Sequence, residues 1–126
     1  MKLRIKGDSL RLRVSPSEMS RLLESGRVAE TIHFGPGPED QLTYALERAP
    51  QAVEISVRSR PQEVAVIVST RRAQAWARGA EVGIYGESSA GTTSLELAVE
   101  KDFACLDKPG EENLDTFPNP NEGAIC

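Results

Sequence analysis

The alternation of apolar and polar residues in this chain comes round twice. A shift of 54 positions lays Leu10, Leu12 and Val14 over Val64, Val66 and Val68, and Ser15 over Ser69. The same shift lays Met19, Leu22 and Leu23 over Ala73, Trp76 and Ala77, and Val28 over Val82. Further on, a shift of 53 lays Leu42, Tyr44 and Leu46 over Leu95, Leu97 and Val99. A constant offset across strand, cap, helix and strand predicts two copies of one ββαββ unit. Each copy has an apolar side that it cannot bury alone. The expected fold class is therefore α+β and mostly β: a duplicated unit closing into a barrel or a two-layer sheet.

The first copy is the easier to parse. "KLRIK" puts Leu3 and Ile5 on one side of a strand and Lys2, Arg4 and Lys6 on the other. After a Gly-Asp turn, "SLRLRV" answers with Leu10, Leu12 and Val14 inward and Arg11 and Arg13 outward. "SPSEMSRLLESG" has the features of a capped helix, with Ser15 as N-cap, Pro16 in the first turn, Glu18 closing a capping box and Gly26 as the stop. Strands are expected over residues 27–34 and 41–48, separated by the loop "GPGPED". At 126 residues the chain is expected to be a single domain, with copies over 1–49 and 50–102 and an extended tail over 103–126 docked on them.

Charge is unevenly placed. The formal net charge of −4 is carried by residues 102–126, where Lys108 stands against Asp102, Asp107, Glu111, Glu112, Asp115 and Glu122. Phe103, Leu106, Leu114, Phe117 and Ile125 recur through that tail, and prolines at 109, 118 and 120 stiffen it. Apolar anchors and stiffness predict a docked strap, whose acidic residues would find a counterpart in the basic first hairpin. No apolar run approaches the length of a membrane span, and the first residues lack an unbroken apolar core of the signal-peptide kind. With only two cysteines, a cytoplasmic location is expected, and no membrane partner.

Two resemblances can be tied to quoted residues. "MKLRIKGDSLRLRV" at the start, "EKDFACL", "FPNP" and the terminal cysteine resemble an uncharacterised bacterial protein family, which implies no particular activity. Residues 2–48 also look like an AbrB/MazE-type swapped-hairpin unit: a basic strand, a Gly-Asp-Ser turn, a strand ending at a helix-starting proline, the helix and a closing hairpin. That second resemblance implies a barrel of two such units and DNA contact through the basic hairpin. The second copy departs from it, having "SRPQEV" in place of the turn and Thr70 in place of the proline.

The candidate binding residues for a ligand or nucleic acid are Lys2, Arg4, Lys6, Arg11 and Arg13, which share the solvent side of two neighbouring strands opposed only by Asp8. Five like charges on a small face attract anions. The pI near 5.1 and the lack of interleaved aromatics argue against a dedicated nucleic-acid binder. A protein or small anionic ligand is the expected partner, with the protein itself a monomer or weak homodimer. A metal site would have to draw on Cys105, Asp107, Cys126 and His33, but no close cysteine pair exists and His33 falls on a polar strand face. No metal and no cofactor are expected. "GESSAGTT" lacks the lysine of a phosphate loop and leads into a strand, and one histidine on a strand surface makes no triad. Binding without catalysis is the expected activity, with DNA-binding regulation as the alternative and cysteine-based metal binding as the second alternative.

Overall fold

The computed structural model describes residues 1–103 and 115–118. Its elements run β1 (Lys2–Ile5), β2 (Ser9–Val14), α1 (Pro16–Ser25), β3 (Arg27–His33), β4 (Gln41–Ala49), β5 (Ile55–Arg60), β6 (Glu63–Ser69), α2 (Thr70–Arg78), β7 (Gly83–Ala90) and β8 (Thr93–Lys101). They build two four-stranded sheets, ordered β1-β2-β8-β7 and β3-β4-β6-β5. The sheets form two layers and do not close into a barrel. Neighbours within each hairpin are antiparallel, whereas the central joints β2·β8 and β4·β6 are parallel. Each ββαββ half therefore gives one hairpin to each sheet.

The registers of the two joints correspond. Leu12 lies beside Val99 in the first sheet, and Val66 beside Leu46 in the second. Those positions are related by the same offsets of 54 and 53 that relate the sequence copies. The helices correspond as well. Ser15 caps α1, its hydroxyl accepting from the Glu18 N–H while the Glu18 carboxylate accepts from the Ser15 N–H. Ser69 caps α2 by accepting from the Arg72 N–H. Met19 and Leu22 of α1 and Ala73 and Trp76 of α2 are all buried in one core with Leu10, Leu12, Val14, Val66, Val68 and Val99.

After the helices the correspondence slips. Val28 pairs with Leu46, and the residue that pairs with Val99 in the same way is Ile84. Ile84 is 1% exposed, while Val82, the expected counterpart of Val28, is 42% exposed. The reason lies in the caps. Gly26 takes the left-handed conformation (φ 86°) and turns the chain straight into β3. Gly79 is extended (φ −98°), and Ala80, Glu81 and Val82 follow before β7 begins, which places Ile84 two residues later than the offset of 54 expects. The displaced Val82 uses its carbonyl to accept from the Trp76 indole N–H at 3.1 Å.

One seam between the layers is tight. A Cβ added to Gly86 of β7 would lie 2.4 Å from the Ile55 methyl of β5. Beyond β8, residues 115–118 return to the body. Phe117 bridges Phe103, its N–H donates to the Asp102 carbonyl at 2.8 Å, and its ring packs on the core beneath the Lys101 ammonium. Asp115 accepts from the Ser17 N–H at the start of α1 and from the Ser17 hydroxyl. This segment meets the end of β8 and the start of α1. Leu106, Leu114 and Ile125, also expected as anchors, lie outside the described residues.

Candidate functional site

Strand alternation and the parallel β2·β8 joint place side chains from four strands in rows across the outer face of the first sheet. One row reads Arg4, Arg11, Ala98, Tyr85 from β1 to β7. The row on one side reads Lys2, Arg13, Glu100, Gly83. On the other side Lys6 closes the hairpin against Ser9, which is followed by Glu96 and Glu87. All five predicted cations are thus on one face, and β8 and β7 bring carboxylates to it. This corrects the expectation that only Asp8 opposes the basic hairpin. Lys2 pairs with Asp102 at 3.0 Å and Arg11 with Glu100 at 3.1 Å. Among the described residues Arg4, Lys6 and Arg13 have no ion-pair partner.

The face is divided by charge. Arg4 lies directly opposite Arg11, Lys2 opposite Arg13, and Glu87 opposite Glu96. Like charges placed directly across a strand pair are destabilising. The basic half and the acidic half meet over Ala98, where the short side chain leaves a bay of about 450 Å³ lined by Arg11, Tyr85, Glu87 and Glu96. Tyr85 is 55% exposed, and its hydroxyl donates to Glu100 at 2.6 Å. Burial against the sheet, together with the hydrogen bond and charge of Glu100, pushes this phenol up to about 12. It therefore stays protonated at neutral pH and acts as a hydrogen-bond donor.

The matching face of the second sheet is closed. There Arg58 pairs with Glu47 at 2.6 Å and Glu63 at 3.2 Å, and Arg27 pairs with the same two carboxylates. This quartet shields Ala45 and Ala65, which point outward yet are 1% and 0% exposed. Hydrogen bonding to Arg58 holds the Glu47 carboxyl below the ordinary range, against a smaller cost of burial. Ala45 holds the place in this sheet that Ala98 holds in the other. The same architectural spot is thus capped by four charges on one side of the molecule and open on the other.

A third polar group lies where α1 meets β3 and β4. The Met1 amine pairs with Glu18 and, at 2.9 Å, with Glu30, which also accepts from the Tyr44 hydroxyl at 2.8 Å. Burial raises the Glu18 carboxyl, and its bonds to the amine and to Ser15 more than offset that, leaving it lowered. Every member is paired, as expected of structural polar groups.

His33 ends β3 on the exposed outer face of the second sheet, opposite Gln41. Cys105, Asp107 and Cys126 lie outside the described residues. Among the described residues no group of three or more His, Cys, Asp or Glu side chains is placed to hold a metal ion. None of the described helices is long and apolar enough to cross a membrane. Tyr85, Glu87, Glu96 and Glu100 were not expected at the site. Their alternation was visible in "GIYGES" and "LELAVE", but their place beside β2 depends on a parallel joint that no local pattern announces.

The model of a family of unknown function (DUF7009) matches residues 1–121. The chain belongs to this family. Membership of an uncharacterised family is what the sequence led us to expect, and the match bears that out. No curated protein and no solved structure matches the chain.

Proposed function

We propose that this DUF7009 protein is a non-catalytic interaction module whose binding surface is the outer face of the β1-β2-β8-β7 sheet, and that its partner presents carboxylate or phosphate groups to the basic half. One observation carries the reading. The Ala98 bay, with Arg11 at its rim, stands open on the face that also carries Arg4, Lys6 and Arg13, cations without an ion-pair partner among the described residues, while the equivalent spot on the second sheet is sealed by its own ion quartet. Planar guanidinium groups suit bidentate recognition of such anions. The carboxylates on β8 and β7 set a limit: a DNA backbone laid across the whole face would meet Glu87, Glu96 and Glu100. A protein surface or a small anion avoids them.

The test is a titration with inorganic phosphate at low salt, followed by amide NMR. Shifts on β1 and β2 that fade with added salt and vanish in an Arg4→Glu/Arg13→Glu variant are the expected result. No shift at low salt, or shifts that the variant leaves unchanged, would overturn the reading. The same titration with mixed-sequence duplex DNA addresses the regulator alternative, which requires binding that weakens steeply with salt.

A further inference from the structure

The charge pattern on the binding face is self-complementary, which narrows the choice of partner. Cations occupy β1 and β2, and carboxylates occupy β8 and β7. Consider a second copy laid face to face on the first, related by a two-fold axis parallel to the strands. The strand directions stay aligned, and the order of strands is reversed across the interface. β1 of one copy then lies over β7 of the other, and β2 over β8.

The rows given by the strand registers then meet as follows. Arg4 comes over the partner's Tyr85, a guanidinium above an exposed aromatic ring. Arg11 comes over the partner's Ala98 and enters the bay. Lys6 comes over the partner's Glu87, and Arg13 over the partner's Glu100. Every contact occurs twice, because a two-fold interface is isologous. The other axis in the interface plane, perpendicular to the strands, would stack β1 on β1 and set arginine against arginine. Charge thus selects a single arrangement. It also relieves the like-charge neighbours within each copy: Glu87, beside Glu96, gains the partner's Lys6, and Arg11, beside Arg4, enters a bay lined by the partner's Glu87 and Glu96.

We infer that the partner of the open face is a second copy of this chain, docked sheet to sheet about a two-fold axis parallel to the strands, with Arg11 and Ala98 at the centre and Arg4 and Tyr85 at the edges. The inference rests on the reading of this face as the binding surface. Two sheets packed in this way stand about 10 Å apart with their strands within about 30° of alignment, which suits side chains of arginine and tyrosine length. Four strands present only a small area for a dimer interface, so dissociation on dilution is expected.

Sedimentation equilibrium at low salt, from about 1 μM to about 1 mM chain, tests it. The parent protein is expected to pass from the mass of one chain to that of two. Lys6→Glu sets two carboxylates together at each of two places, and Glu87→Lys sets two ammonium groups together. Each single variant should move the midpoint about tenfold or more towards higher concentration, since each change acts twice. Lys6→Glu/Glu87→Lys restores opposite charges across the interface and should return the midpoint towards the parent's. That recovery is the decisive readout: a general loss of fold or of surface charge does not predict it, and circular dichroism confirms that all four proteins are folded. A parent that stays a single chain to about 1 mM, or a double variant no better than the singles, overturns the inference. The phosphate titration separates the two ideas. A protein that never dimerises but binds phosphate on β1 and β2 loses the second copy and keeps the binding face. One that does neither loses both.

Discussion

Trp76 should be the single most expensive side chain to remove. It is 0% exposed, sits where Leu22 sits in the other half, and is hydrogen-bonded to the Val82 carbonyl. The two helices divide core volume differently: α1 supplies Met19 and Leu22, whereas α2 supplies Ala73 and Trp76. A large residue in α2 thus accompanies a small one a turn away. Trp76→Ala removes most of that volume, and the rest of the core, in which Val14, Val66 and Val99 are all within 1% of complete burial, cannot collapse far into the gap. A loss of about 3–5 kcal/mol follows. Val82 is part-exposed, so water can reach its freed carbonyl and the lost hydrogen bond adds about 1 kcal/mol or less. Against a typical stability of about 5–15 kcal/mol, the variant is left marginal. Urea unfolding followed by far-UV circular dichroism is the suitable assay, because the chain has one tryptophan and the variant removes that probe. A compensating variant sharpens the test. Ala73→Met/Trp76→Leu transplants the α1 pair into α2 and should recover at least half of what Trp76→Leu alone loses. A loss below about 1 kcal/mol for Trp76→Ala, or no recovery in the transplant, would refute the view that the two helices fill equivalent halves of one core.

Other expectations concern the seam, the cap and the ion quartet. Gly86→Ala should destabilise by about 1–3 kcal/mol, because its Cβ would collide with Ile55, and Ile55→Ala in the same chain should relieve part of that cost; additive losses in chemical denaturation would show that the seam is loose. Ser15→Ala should cost about 1 kcal/mol by opening the α1 capping box, and an unchanged urea midpoint would contradict it. Glu47 is held below its ordinary value of 4.5 by Arg58. Its contribution is present above that pH and is lost as pH falls through the lower folded value, so the acid side of the stability profile should flatten in Glu47→Gln. An acid limb unchanged by that substitution would mean that the quartet contributes nothing to folding.

Much of the fold could be read from local rules. The capping box at Ser15 and Glu18, the stop at Gly26 and the alternation of "KLRIK" and "SLRLRV" each depend on residues a few positions apart, and each appears in the structure as read. Val82 marks where that reasoning failed. Matching offsets assumed equal turns after both helices, while the backbone of Gly79 is extended and lengthens the second connection. The site was half legible for a related reason. Alternation alone placed Lys2, Arg4, Lys6, Arg11 and Arg13 on one face, because they belong to one hairpin. Their acidic neighbours come from the far end of the chain through a parallel joint. Pairing of that kind is chosen by the shape of the whole core, and Glu100 or Tyr85 carries no local mark of it. The flatness of His33 on a polar strand face was legible; the chemistry of Cys105, Asp107 and Cys126 lies outside the described residues.

The exchange of hairpins between halves also sets the order in which the layers can be completed. The joint of the β3-β4-β6-β5 sheet links Leu46 to Val66, 20 positions apart, while the joint of the other sheet links Leu10 to Leu97, 87 positions apart. Closing the longer span costs about 1.3 kcal/mol more in chain entropy than closing the shorter one. During synthesis the gap is wider still: every strand of the β3-β4-β6-β5 sheet has been made by Ser69, whereas the first hairpin must wait for β8, which ends at Lys101. Until then Leu10, Leu12 and Val14 have no partner strand on one side. The charged side chains on the opposite face of that hairpin keep the waiting segment hydrated and set like against like if two nascent chains meet.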